Sequence, residues 1–162
     1  MADDVQRNYQ IFPQEQRWTH LALPPVKDVE ASIAWYEKHT HLRLLARNES
    51  EVALGAWLGD PRQADAPFVL VLAQFKEGKD PFGGARHFPL APFAHIGIEV
   101  KKRETVDEIA ALARQENCLA LAPHLRPPPV GYVCFVRDPD GNIIEFSHDQ
   151  GVYEKAKEMW GR

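Results

Sequence analysis

Two short runs of this chain, T-H-L-A-L at residues 19–23 and A-H-I-G-I at 94–98, repeat one pattern at a distance of 75 residues. In the first, Thr19, Leu21 and Leu23 share one face of a strand and His20 takes the other; in the second, Ala94, Ile96 and Ile98 share a face and His95 opposes them. Each run leads into a helix of matching phase. Asp28 is a suitable N-cap for a helix from Val29 to about Thr40, with Val29, Ile33 and Tyr36 as its inner stripe. Thr105–Glu108 reads as a capping box for a second helix whose Val106, Ile109, Ala110 and Ala113 share a face. Strand-like runs at 42–47, 52–58 and 68–75 follow the first helix, and runs at 118–125, 131–137 and 143–148 follow the second. A period this long is a duplicated module rather than a solenoid repeat. The expected fold is therefore α+β, built from two βαβββ modules. Residues 1–17 are read as an arm, 18–76 as module one, 77–92 as a Gly/Pro-rich linker, 93–148 as module two and 149–162 as a helical tail, with 18–148 forming a single domain.

The closing hairpin, G-Y-V-C-F-V-R-D-P-D-G-N-I-I-E-F-S-H over residues 131–148, carries the chemistry. Pro139 presets one angle of its turn and Gly141 supplies a positive φ. Its second strand places Glu145 between Ile144 and Phe146, where a buried strand ordinarily carries an apolar residue. Ile144 and Phe146 pack toward the helices, so Glu145 faces the same uncovered side as His20 and His95. Two imidazoles and one carboxylate suit a borderline divalent ion and leave coordination positions open. With the turn at Pro139–Gly141, Phe135 lies opposite Glu145, with Val133 and Arg137 beside it; a one-residue slip would put Cys134 and Tyr132 there. Arg137 is a candidate for an anionic substrate. Tyr132 and His148 are candidates for a supporting acid or base, and Arg86 and His87 for a lid in the linker.

The totals narrow the partners. A net charge of −4 and a pI near 6.0, with no stripe of Lys or Arg, give no footprint for nucleic acid or an anionic membrane surface. Cys118 and Cys134 stand apart without a framework spacing, as suits two buried thiols in a reducing cytoplasm. The N-terminus is acidic where a signal peptide is basic and apolar, and no run approaches a membrane span. A cytoplasmic protein with a small-molecule substrate is the expectation. The tail, with Val152, Ala156 and Met159 at helical spacing, is expected to pack on the domain or on a second subunit.

The segments H-L-A-L-P-P-V-K-D-V-E-A-S-I-A-W-Y, F-A-H-I-G-I-E-V and F-V-R-D-P-D-G-N-I-I-E-F resemble the vicinal oxygen chelate superfamily. That group holds glyoxalase I, bleomycin-resistance proteins, fosfomycin-modifying enzymes and extradiol dioxygenases. The resemblance covers about residues 18–148 and implies a cupped mixed sheet with metal ligands on the first and last strand of each module. It makes His20, His95 and Glu145 the matching ligands of a divalent ion (iron, manganese, zinc or nickel) and implies a homodimer. The fourth ligand of a glyoxalase I-like site would fall on the run 68–75. Spacing places it near Leu70, on a face shared with Leu72 and Gln74, of which only Gln74 can ligate, and weakly; the nearby Glu77 is read as solvent-facing. The set of three resembles the dioxygenases or the fosfomycin-modifying transferases. A small substrate chelating through adjacent oxygens is then the expectation. The rival readings are a lyase using Gln74 and a metal-free binding protein.

Overall fold

The computed structural model describes residues 20–63, 68–83, 86–90 and 94–160. The N-terminal arm, Trp18, Thr19 and Phe93 lie outside the described residues. The chain runs β1 (His20–Ala22), α1 (Val29–His39), β2 (Arg43–Glu49), β3 (Ala53–Gly59), β4 (Val69–Phe75), β5 (Ile96–Glu99), α2 (Arg103–Gln115), β6 (Leu119–Arg126), β7 (Gly131–Arg137), β8 (Ile143–His148) and α3 (Val152–Trp160). It forms two four-stranded sheets of identical topology, β1-β4-β3-β2 and β5-β8-β7-β6. In each, the first strand of the module runs parallel to the last and the remaining pairs are antiparallel.

Local chemistry explains the helices. The Asp28 side chain accepts from the amides of Glu30 and Ala31, and Val29, Ile33 and Tyr36 are buried along one stripe. The second helix starts earlier than the expected capping box: Arg103 opens it, Lys102 supplies no side-chain cap, and the Thr105 amide already donates to the Lys102 carbonyl. Contacts outside the helix account for this early start. The Arg103 guanidinium lies 4.1 Å over the Tyr132 ring, and the Tyr132 hydroxyl donates to Asp107 at 2.6 Å, so β7 holds the first turn from outside. Thr105 is therefore an interior residue of the first turn.

The helix sides of the two sheets meet in one core. Leu23, Ile33, Tyr36, Leu58, Leu70 and Leu72 of module one belong to the same cluster as Val106, Ala110, Cys134, Val136, Ile144 and Phe146 of module two. Burial keeps the Cys134 thiol protonated, with its pKa pushed up to about 12. The opposite face of each sheet points away from this shared core. Val152 and Met159 of α3 are exposed, so the tail leaves two of the three apolar residues of its expected stripe uncovered. Among the described residues no helix is long and apolar enough to cross a membrane.

Candidate metal centre

Register decides which side chains share the open face of module two. β7 and β8 pair Phe135 with Glu145 and Arg137 with Ile143, as the Pro139–Gly141 turn requires, and Gly141 takes φ +89°. The slipped register, with Cys134 or Tyr132 beside Glu145, is not the one formed. β5 pairs Gly97 with Glu145, so His95, two residues earlier and just ahead of the strand, shares the face of Glu145. His95 Nε2 lies 3.6 Å from Glu145 Oε2, and the His95 ring meets Phe135 edge-on at 5.6 Å. Gly97 presents no side chain, so the flank of the carboxylate between His95 and Glu99 stays open; a Cβ there would sit 3.9 Å from Glu145 Oε1.

Glu145 is only 5 % exposed. A carboxylate so far from water needs compensation, and one source is Gln150, which sequence reasoning missed. Its side-chain amide donates to Glu145 Oε1 at 2.6 Å, while its backbone N–H donates to Glu99 Oε1 at 3.0 Å. The chain reverses after β8 through Asp149, at φ +66°, and this brings Gln150 back over the end of the sheet. No spacing rule foretells that return, because it depends on one left-handed residue after the strand.

Other expected site residues fall elsewhere. Tyr132 and His148 pair across β7 and β8 on the helix side, opposite Glu145. Tyr132 is engaged by Arg103 and Asp107, and His148 lines a cavity of about 890 Å³ together with His39, His41, Asp60, Glu99 and Phe146. Strand parity thus sets both on the face opposite Glu145. Arg137 shares the open face, is exposed, and donates to the Leu119 carbonyl at 3.4 Å. In the linker, Arg86 lies 4.7 Å over the Phe88 ring and His87 pairs with Asp80 at 2.9 Å. Glu77 is exposed, as its polar surroundings suggest.

In module one, β1 pairs His20 with Val69 and Ala22 with Val71. Ala22 is the counterpart of Gly97, so the counterpart of Glu145 is Val71, one residue beyond the position that spacing gives. A one-residue offset changes the face. Leu70, at 6 % exposure, and Leu72, fully buried, are core residues, and Gln74 shares their side. Its Oε1 accepts from the Val29 amide at 2.9 Å and so helps cap α1. Contrary to its expected role as a weak fourth ligand, Gln74 faces the helices, and the register position belongs to Val71.

His20 is exposed on the open side of the first sheet. Among the described residues, the three-residue grouping of ligand atoms within 4.8 Å of one another is His39, Glu116 and Cys118, and His20 is not part of it. A single chain thus brings His95 and Glu145 together and leaves His20 on the other sheet. The donors present suit a divalent ion: two donor atoms each about 2.0–2.2 Å from such an ion stand roughly 3–3.5 Å apart, close to the His95–Glu145 separation.

A family model described as the Glyoxalase/Bleomycin resistance protein/Dioxygenase superfamily matches residues 17–146. The chain is 36 % identical over 132 residues to the uncharacterized protein PA2024 of Pseudomonas aeruginosa, an alignment covering 82 % of this chain and 88 % of that protein. Among solved structures it is similar to the trypanothione-dependent glyoxalase I of Leishmania major, with TM-score 0.62 and 24 % identity over 90 % of this chain and 95 % of the other. It is also similar to TnmS3, an antibiotic binding protein from Streptomyces sp. CB03234, with TM-score 0.58 and 22 % identity over 85 % of this chain and 99 % of the other. At these identities the likeness to the two structures is one of fold.

Proposed function

The chain belongs to the glyoxalase/bleomycin resistance protein/dioxygenase superfamily, and from that premise we propose that it is a divalent-metal enzyme whose site is closed by two copies of the chain. His20 of one copy joins His95 and Glu145 of the second. The observation that carries this reading is the His95–Glu145 pair, 3.6 Å apart on an open sheet face, with the carboxylate buried and held by Gln150. Leaving such a carboxylate without a cation is costly, and two donors on a sheet face with room beside Gly97 accommodate one. A valine at the register position matching Glu145 favours three protein ligands over four.

A bound divalent ion supplies Lewis-acid stabilisation of negative charge developing on a substrate that chelates through adjacent oxygens. The chain's own residues then set what is bound. Phe135 and its cross-strand partner Leu121 face the same side as Glu145, and Trp57 and its partner Val71 face the open side of the first sheet. Leu121 and Trp57 are 44 % and 45 % exposed, so these walls offer apolar area, with Arg137 an exposed cation on the same face as Glu145. A substrate with an aromatic or otherwise apolar body fits these walls. Gln150 orients Glu145, so Gln150→Ala is expected to weaken metal binding about tenfold while leaving the fold intact, read as a metal dissociation constant beside a thermal melt.

Elemental analysis of protein purified without chelator or affinity-tag metal tests the reading. The wild type is expected to hold about one equivalent of a transition metal per chain more than Glu145→Gln holds. Iron would direct assays to catechols under dioxygen, and zinc, nickel or manganese to hemithioacetals and thiol transfer. No excess of metal in the wild type over Glu145→Gln, even after reconstitution with all four ions, would overturn the reading in favour of a protein whose open face binds its ligand without metal.

A further inference from the structure

The two modules meet at a second group of metal-ligating atoms, unrelated to the open sheet face. His39 ends α1, and Glu116 and Cys118 follow α2 on the way into β6. Between them Asn117 takes φ +57°, a left-handed turn that sets Glu116 and Cys118 toward the same neighbour. His39 Nε2 lies 2.7 Å from Glu116 Oε2, and ligand atoms of His39, Glu116 and Cys118 all fall within 4.8 Å of one another. We propose that His39, Glu116 and Cys118 form a second cation site, of zinc type, that ties the end of α1 in module one to the end of α2 in module two.

Three features support it. The donor set is one imidazole nitrogen, one carboxylate oxygen and one sulfur, the mixture a borderline divalent ion such as zinc prefers over calcium or magnesium. Tetrahedral donors at about 2.0–2.3 Å from an ion stand roughly 3.3–3.7 Å apart, so side-chain shifts on the order of 1 Å suffice. The His39 ring is fully shielded and stacked on Trp35 at 4.6 Å, so the imidazole is held rigidly with Nε2 aimed at Glu116. Access comes from the other two, since Cys118 and Glu116 are both partly exposed.

Two neighbours shape the affinity. Lys38 also pairs with Glu116, but its own side chain is 55 % exposed, so the ammonium can swing into solvent when a cation arrives. The Cys118 thiol is held protonated by its partial burial and by the Glu116 charge, and it accepts a hydrogen bond from the Trp35 indole. Binding releases that proton, and affinity falls as pH is lowered.

Cobalt titration of the full chain carrying Glu145→Ala isolates this site from the one on the open face. The expected result is near-UV thiolate-to-cobalt absorption saturating at about one equivalent, lost in Cys118→Ser and kept in Cys134→Ala. Lys38→Met is expected to tighten cobalt binding about threefold by removing the competing cation. Should Cys118→Ser fail to fold, alkylation of the unmutated thiol serves instead: zinc is expected to slow modification of Cys118 about tenfold, read by peptide mass spectrometry. Absence of the absorption in folded protein, its survival in Cys118→Ser, or a Cys118 modification rate indifferent to zinc would overturn the proposal. None of these outcomes depends on whether the open-face site binds metal.

Discussion

Refolded together in equal amounts, chains carrying His20→Ala and chains carrying Glu145→Ala are expected to recover about a quarter of wild-type metal capacity at the open-face site, although neither binds metal there alone. His20 and the His95–Glu145 pair stand on open faces of two different sheets, and the helix sides of those sheets share the core between them. A symmetric dimer that sets the first sheet of one copy beside the second sheet of the other makes two sites, each drawing on both chains. In a mixed dimer one site inherits both substitutions and the other inherits neither. Random pairing makes about half the dimers mixed, each with one intact site of two, which is the quarter. The readout is metal per chain after refolding the mixture, with each variant refolded separately as control. If the three residues instead met within one chain, mixing would restore nothing. Recovery at the background of the separate variants would therefore remove the shared site, whatever metal the wild type holds.

The same geometry explains how much was legible in the residues. Alternation in a strand is a local property, so the faces of His95, Glu145 and Phe135 follow from parity and from a turn whose length Pro139 and Gly141 set. The module order follows from helix stripes and turn residues for the same reason. Comparison between modules is different, because it carries a spacing across loops that need not be equal. From His95 to Glu145 is 50 residues, whereas from His20 to Val71, its register counterpart, is 51. That single residue moves the expected fourth ligand from the open face to the core, and it turns Gln74 from a ligand candidate into a helix cap. Tyr132 and His148 were named for their chemistry, which does not report a face, and parity puts them with Cys134 and Phe146 on the helix side. Gln150 was invisible because it acts after the last strand, through a left-handed Asp149 that no periodicity announces.

Asp138→Ala is expected to destabilise the chain by about 3–5 kcal/mol, more than any open-face substitution, although Asp138 touches no proposed ligand. Its carboxylate is 5 % exposed and accepts four hydrogen bonds. Oδ1 takes the amides of Asp140 at 2.9 Å and Asn142 at 2.8 Å, while Oδ2 takes the Asn142 side-chain amide and the Tyr36 hydroxyl, each at 2.8 Å. The first three close the turn that sets the register of Glu145. The fourth crosses from α1, so one carboxylate joins the modules and positions the site strand at once. Asn142 continues the network by accepting from the Leu90 amide at 2.9 Å, and Asp140 accepts from the Lys27 amide at 3.0 Å. Burial, then the negative charge of Asp138, raises the Tyr36 pKa far beyond its ordinary value, so the hydroxyl stays a donor at any working pH. Removing the carboxylate strands four donors, three of them buried and the Asp140 amide part-buried, whereas Tyr36→Phe removes one donor and leaves three bonds, for about 1–2 kcal/mol. In a domain of this size the alanine variant should melt roughly 10 °C lower. A double-mutant cycle between the two positions should show coupling of about 1 kcal/mol or more, the energy of the Tyr36–Asp138 bond. A melting temperature for Asp138→Ala within a degree or two of wild type would mean that the turn and the docking of α1 are held by something other than this carboxylate.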